Sequence, residues 1–414
     1  MDRSDLLRLL HACKQEPDDA TAHLVLADWL EEHGDADRAA FVRLDAAPGI
    51  PEFPWLRKRR WTENAARWMP FAGSLGKRPD PSPSRGLASV RATLAGLSGL
   101  LAQEIAASEK WAWVERLSVG LSPKRLEQLT ESPLLAGVPC LELVGDRMGP
   151  EAAALLAGWP GRARLRRLDL EVSALAPDEA AILLGSPHGA GLRALRVPHG
   201  AVTASGRPGT LPALEELDVR SGASAFVSLV GSAAWRLRSL SLNAYSEPGL
   251  GTLAQADALA GLRRLRLGSL GYGTDEARTV ASARWWGTLE EATLAWTRLN
   301  AEDAARFAAM PEAPRLRAFS FQAYTVDPGA LTMLARSPLF AAPDRLELRG
   351  PMPDAAPALA SLAAAPRTLA LLGPELGDEG AALLARWPGL ERCRALTLQR
   401  AGIGPQGIAA LAES

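Results

Sequence analysis

The chain has 414 residues, with 46 Lys and Arg against 47 Asp and Glu and a formal net charge of −1; that balance argues against a dedicated polyanion binder, so no nucleic-acid partner is expected. Three cysteines, Cys13, Cys140 and Cys393, are too few for a disulfide framework and point to a reducing compartment. No apolar run reaches membrane-spanning length and Met1-Asp2-Arg3-Ser4-Asp5 opens with charge, so neither a membrane span nor a signal peptide is expected, and the expected location is the cytoplasm.

Residues 1–47 predict three short helices: Asp2 to Lys14, Asp18 to His33 and Asp35 to Ala46. Pro17-Asp18-Asp19 is a helix start, with a proline at the beginning and acids in the first turn. Gly34 is a stop, and His33 beside it suits the cation preference of a helix C-terminus. The run Leu24-Val25-Leu26-Ala27-Asp28-Trp29-Leu30-Glu31-Glu32-His33-Gly34-Asp35, followed by Arg38-Ala39-Ala40-Phe41-Val42-Arg43-Leu44, resembles the repeat-companion domain. That small bacterial module is commonly found ahead of leucine-rich or similar repeats, and the resemblance implies no chemistry. Asp28, Glu31 and Glu32 read as a solvated face or as partners of Arg38 in preference to a metal cluster.

Pro54 to Phe71 carries Trp55, Trp61, Trp68 and the basic run Arg57-Lys58-Arg59-Arg60, and predicts one amphipathic helix docked on the first three. Four consecutive basic residues on a helix point in different directions, which favours a solvated face over a phosphate site. Residues 74–84 hold enough Gly, Pro and Ser for a linker. Leu87 to Leu94 reads as a degenerate strand that caps the open end of the repeats. The domain reading is 1–73 helical, 74–84 linker and 85–414 repeats.

From Leu117 a Leu-x-Leu signature returns at Leu141, Leu168, Leu195, Leu217, Leu240, Leu265, Ala292, Phe319, Leu346, Leu369 and Leu396, at spacings of 22 to 27 residues. A period of about 20–29 built on alternating apolar residues marks a leucine-rich repeat solenoid, here of about 12 copies. Fifteen residues past the anchor, Leu156, Leu183, Phe307, Leu334, Leu384 and Leu411 trace a helical face. Pro133, Pro160, Pro187, Pro311, Pro338 and Pro388 stand eight before the next anchor and predict a helix stop. The fold class is therefore α/β, a solenoid of strand, turn, helix and return loop preceded by a cap strand and a small all-α domain. Unbroken phase from Leu117 to Leu398 predicts one continuous stack.

Phrases such as Leu376-Gly377-Asp378-Glu379-Gly380-Ala381 and Ile403-Gly404-Pro405-Gln406-Gly407 resemble the ribonuclease-inhibitor-like class of leucine-rich repeats, over roughly residues 85–414. That class implies a fold and not a ligand. It usually places Asn or Cys five residues past the anchor. Here stand Ser122, Asp146, Ser173, Gly200, Tyr245, Thr297 and Ala401, so the middle copies, Leu195 to Leu265, are expected to be irregular.

Signals for catalysis are few. His11, His23, His33, His188 and His199 form no His-x-x-x-His pair, and no Gly-x-Ser-x-Gly elbow or Walker-type loop occurs. Gly377 and Gly380 recur in repeat phase and read as turn residues. No catalytic, cofactor or metal residue is assigned.

The exposed strand face is more informative. Its charges alternate in blocks: Arg166, Arg167 and Asp169; Arg193 and Arg196; Glu215, Glu216 and Asp218; Arg263, Arg264 and Arg266; Glu290 and Glu291. Strands about 4.8 Å apart let such blocks neutralise one another, and the same charges are able to select a protein partner. Trp296, just past Leu294, reads as an exposed aromatic anchor, whereas Trp159 and Trp387 read as packing residues. The expected partner-binding set is Arg166, Asp169, Arg193, Arg196, Glu216, Asp218, Arg264, Arg266, Glu291 and Trp296. The expected function is a monomeric, non-enzymatic scaffold that binds a protein through this face. The alternative is a regulatory or effector-type component whose N-terminal helices carry the activity.

Overall fold

The computed structural model describes residues 3–17, 19–46, 54–75, 82–84, 86–121, 126–198, 211–220, 230, 235–242, 249–270, 279–280, 282–310, 313–352, 354–362 and 365–414. The chain divides into two compact units, Met1–Leu214 and Glu215–Ser414, at a boundary that the repeat spacing does not mark.

The first unit opens with α1 (Arg3–Gln15), α2 (Ala20–Glu32), α3 (Ala36–Ala46) and α4 (Pro54–Trp68). Asp19 accepts from the Thr21 amide at the start of α2, and Gly34 turns the chain at φ +85, a conformation open to glycine. His33 stacks on Trp29 with centroids 3.9 Å apart, and its Nδ1 lies 2.7 Å from the Trp29 carbonyl. The acidic face of α2 pairs with Arg43, whose guanidinium reaches Asp28 at 2.6 Å and Glu31 at 2.5 Å.

The expected partner, Arg38, points the other way. It shares the inward side of α3 with Ala39 and Val42 and is 3% exposed. Five residues along a helix turn a side chain well away from its neighbour's direction, so only one of these arginines faces α2. The Arg38 guanidinium lies 3.3 Å from the Trp113 ring centroid and 5.4 Å from that of Trp68. Burial pulls its pKa below the ordinary arginine value, with Asp35 acting against that shift. Phe41, Trp61 and Trp68 complete an aromatic core, with centroids 5.2 to 5.8 Å apart. Because Trp113 sits at the entry to a repeat strand, this cation–π contact fastens the helices to the repeats.

Part of the expected linker is structured: its first residues, Ser74 and Leu75, close a 3-10 turn (Ala72–Leu75) with both end residues buried, and Ser82–Ser84 is β1. β1 runs antiparallel to β2 (Leu87–Ala92), the expected cap strand. Residues 76–81 lie outside the described residues. Then β3 (Val114–Gly120), β4 (Cys140–Arg147), β5 (Arg167–Ala174) and β6 (Ala194–Val197) add in parallel. Val90, Leu117, Leu141, Leu168 and Leu195 stand opposite one another, as their spacing requires.

The second unit repeats the pattern with β7 (Glu216–Val219), β8 (Ser239–Leu242), β9 (Arg264–Leu270), β10 (Glu291–Leu299), β11 (Ala318–Val326), β12 (Arg345–Arg349), β13 (Thr368–Leu372) and β14 (Ala395–Gln399). All are parallel, with the anchors from Leu217 to Leu396 aligned. The strands and their helices form leucine-rich repeats. β6, β7 and β8 are four residues long against nine in β10 and β11. The expected irregularity of the middle copies otherwise falls on segments outside the described residues, as do Ser122, His199, Gly200 and Tyr245.

The repeat helices stop two or three residues before the recurring prolines, at Thr130, Gly158, Leu184, Ala335 and Ala385, as expected, and two local devices add to that pattern. Pro133, Pro160, Pro187, Pro338 and Pro388 open a short return helix in their repeats, because a fixed φ and a missing N–H suit the first helical position. Pro311 lies outside the described residues. The absent Asn ladder has a partial substitute in acids from neighbouring repeats. Asp354 accepts from the Gly329 amide at 2.9 Å, and Asp378 accepts from the Gly404 and Gly407 amides at 2.7 and 2.9 Å. Trp159 and Trp387 pack as expected, each covering the glycine two residues on. A Cβ at Gly161 or Gly389 would fall 2.4 or 2.3 Å from the ring.

Candidate partner-binding face

Along every repeat strand the anchors point inward, so the alternate residues form rows across the opposite face. In the first unit one row runs Ser118, Glu142, Asp169, Arg196. Asp169 is not exposed: its side chain is 1% accessible. Arg116 Nη1 reaches it at 2.5 Å from two strands away, Arg167 Nε at 3.0 Å and Arg196 Nη1 at 3.9 Å. Arg196 also bonds Glu171 at 3.2 Å. A short acid on a central strand is covered when long guanidiniums fold over it from both sides.

Arg166 and Arg193, also expected to face a partner, are held by the end of α1. Arg166 donates to Gln15 Oε1 at 2.5 Å, and Arg193 pairs with Glu16 at 2.9 Å. Lys14 Nζ donates to the Gly137 carbonyl at 2.9 Å. Three consecutive residues of α1 and its end thus engage three consecutive strand entries. Burial lowers Lys14 to about 8, with Glu115 opposing. Burial also raises the Cys13 and Cys140 thiols to about 12, which keeps them protonated and unreactive.

In the second unit Glu216 and Arg264 pair at 2.5 Å, and Asp218 is engaged within the protein. Trp296 is not the exposed anchor expected of it. It is 3% exposed and packs against Phe321 and Phe307, with centroids 5.4 and 5.2 Å apart. β10 is nine residues long, so inward alternation continues from Ala292 through Leu294 to Trp296. The expectation ended the strand one pair too soon.

Arg266 and Glu291 remain. Both are exposed, and neither side chain has a hydrogen-bond or ion-pair partner among the described residues. They line a polar concavity of about 270 Å³ across β9 to β12, with Thr293, Ser320, Gln322 and Arg349. The rows explain the grouping: Arg266, Thr293, Ser320 and Glu347 stand opposite one another, as do Ala295, Gln322 and Arg349. Glu347, 9% exposed, accepts from Ser320 Oγ at 3.3 Å and pairs with Arg349 and, at 3.7 Å, with Arg345. Behind Arg349, Gly350 brings the chain so near β11 that a Cβ would lie 1.9 Å from the Ala323 carbonyl.

Sequence reasoning missed the β11–β12 side of this concavity. The signal was present, since Ser320, Gln322, Glu347 and Arg349 alternate with Phe319, Phe321, Leu346 and Leu348. Among the described residues no helix is long and apolar enough to cross a membrane, and no group of three or more His, Cys, Asp or Glu is placed to hold a metal ion.

No known family pattern matches the chain, and no curated protein does. Among solved structures, an internalin from Listeria monocytogenes is similar at 17% identity and TM-score 0.38, covering 75% of this chain and 91% of its own. Yeast Rad7, from its complex with Elc1, matches at 14% identity and TM-score 0.42, covering 92% of each chain. A protein from Bacteroides fragilis matches at 12% identity and TM-score 0.38, over 60% of this chain and 69% of its own. Likeness at this level carries no argument about function; the repeat assignment rests on the strands and their register.

Proposed function

We propose that the protein is a non-catalytic scaffold that binds another protein on the exposed strand face of its second unit, with β9 to β12 as the contact. One observation supports this above others. Arg266 and Glu291 stand without partners among the described residues in a polar concavity, on a face where the other charges of the expected set are engaged within the protein. In this reading residues 1–73 are a helical module that closes the first unit, held by the Arg38–tryptophan contact and the end of α1.

A photo-crosslinking residue placed at Thr293 or at Gln322 tests the reading, with the exposed Leu383 (48%) as control. The same discrete adduct should form from both pocket positions, not from the control, and should vanish in Arg266→Glu. Adducts from all three positions alike, or from none, would reject this face.

A further inference from the structure

The chemistry of the β9–β12 concavity says what kind of segment it accepts. Its lining carries three cations, Arg266, Arg345 and Arg349, and two acids, Glu291 and Glu347. Glu347 is already engaged by Ser320, Arg345 and Arg349. A guanidinium has five N–H donors, so Arg345 and Arg349 keep most of theirs, and Arg266 keeps all. The Thr293 hydroxyl and the Gln322 amide add further donors on the floor. Among the described residues, the site's unengaged donors outnumber its one unengaged carboxylate, Glu291.

Size narrows the occupant. A volume of about 270 Å³ is below the range of about 300–1,000 Å³ usual for small-molecule and cofactor pockets. It suits one or two side chains of a larger partner. β9 and β12 are three strand spacings apart, about 14 Å, a span that arginines from both walls can bridge by sharing one carboxylate between them. Glu291 occupies one end, opposite Arg264 and Ala318, and repels an acid there. The vacant positive end lies between Arg266 and Arg349, over Ser320 and Gln322.

We infer that this concavity binds an acidic segment of a protein partner, a carboxylate side chain entering between Arg266 and Arg349. The inference rests on the scaffold reading and specifies its ligand. Charge-assisted, bidentate guanidinium–carboxylate bonds supply the specificity, and the exposed rim makes the interaction salt-sensitive.

The test uses the full chain and a fluorescein-labelled pentapeptide of alternating glutamate and glycine, with glutamine and lysine counterparts, read by fluorescence anisotropy at low and physiological salt. The acidic peptide should bind, more weakly as salt rises, and each counterpart should bind at least about tenfold more weakly, a difference of about 1.4 kcal/mol. Arg266→Gln and Arg349→Gln should each weaken the acidic peptide about tenfold. Arg336→Gln, on an exposed helix end, should leave it unchanged. Equal binding of acidic and glutamine peptides, wild-type binding by both pocket variants, or no acidic-peptide binding up to about 1 mM at low salt overturns the inference.

Excess acidic peptide should also block the crosslink from Gln322. An adduct that persists under that excess sinks the acidic ligand and leaves the scaffold standing. No adduct from either pocket position sinks both.

Discussion

The two units carry the same strand pattern and use its exposed face differently. In the first, the charges of β5 and β6 are turned on the chain itself. Asp169 is enclosed by Arg116, Arg167 and Arg196, while Arg166 and Arg193 are held by Gln15 and Glu16. In the second, Glu216 and Arg264 pair, yet Arg266 and Glu291 face a polar concavity with no partner among the described residues. Blocks of alternating charge occur in both, so the alternation does not tell a self-paired surface from an available one. The difference comes from reach and from neighbours. A guanidinium two strands away closes over a short aspartate, and α1 brings donors and acceptors to strand entries of the first unit.

The largest expected effect tests whether Trp296 belongs to the core. Trp296→Ala should cost about 3–5 kcal/mol in chemical denaturation, because the ring packs against Phe307 and Phe321. An unmoved midpoint together with lost partner capture would restore it as an exposed anchor.

The contrast between the units is sharpest in a pair of charge removals. Asp169→Asn leaves three arginines around a buried site without their acid. Breaking a buried pair costs about 3–5 kcal/mol, and because these arginines are 25% exposed we expect about 2–3 kcal/mol here. Arg266→Gln, with no partner to lose among the described residues, should stay within about 0.5 kcal/mol. Equal costs for the two would erase the distinction between engaged and available charge.

Lys14 gives a pH signature of the α1 contact. Its folded value of about 8 is below the ordinary 10.5, so the unfolded chain holds more protons between those values and stability rises with pH there. The buried Cys13 and Cys140 act oppositely above about pH 9, so the comparison is with Lys14→Met between pH 7 and 9. Wild type should gain about 1 kcal/mol relative to the variant over that window. Parallel stability curves would place Lys14 outside the buried contact.

The smallest effect belongs to the partly exposed rim. Arg166→Ala combined with Arg193→Ala should cost below about 1 kcal/mol but raise hydrogen exchange at the end of α1. Unchanged exchange there would mean that these side chains do not hold the helix.

The sequence by itself determined the local architecture. Helix boundaries in residues 1–47 are right to within about two residues, since caps, glycine stops and apolar spacing act over a single turn. Within each unit the anchors, Leu117 to Leu195 and Leu217 to Leu396, stand opposite one another because a parallel strand registers each repeat on the last. The N-terminal cap strand also lies where Val90 predicts.

Only the tertiary structure decided which exposed positions are available. Asp169 and Arg266 occupy equivalent places beside their anchors, and nothing in their spacing separates them. One is buried because partners 53 and 27 residues away fold over it; the other stays open because none among the described residues does. Trp296 likewise needed the true length of β10, set by pairing along β11. Burial of a side chain is a property of what packs around it, and those neighbours are brought together by the fold, not by the local pattern.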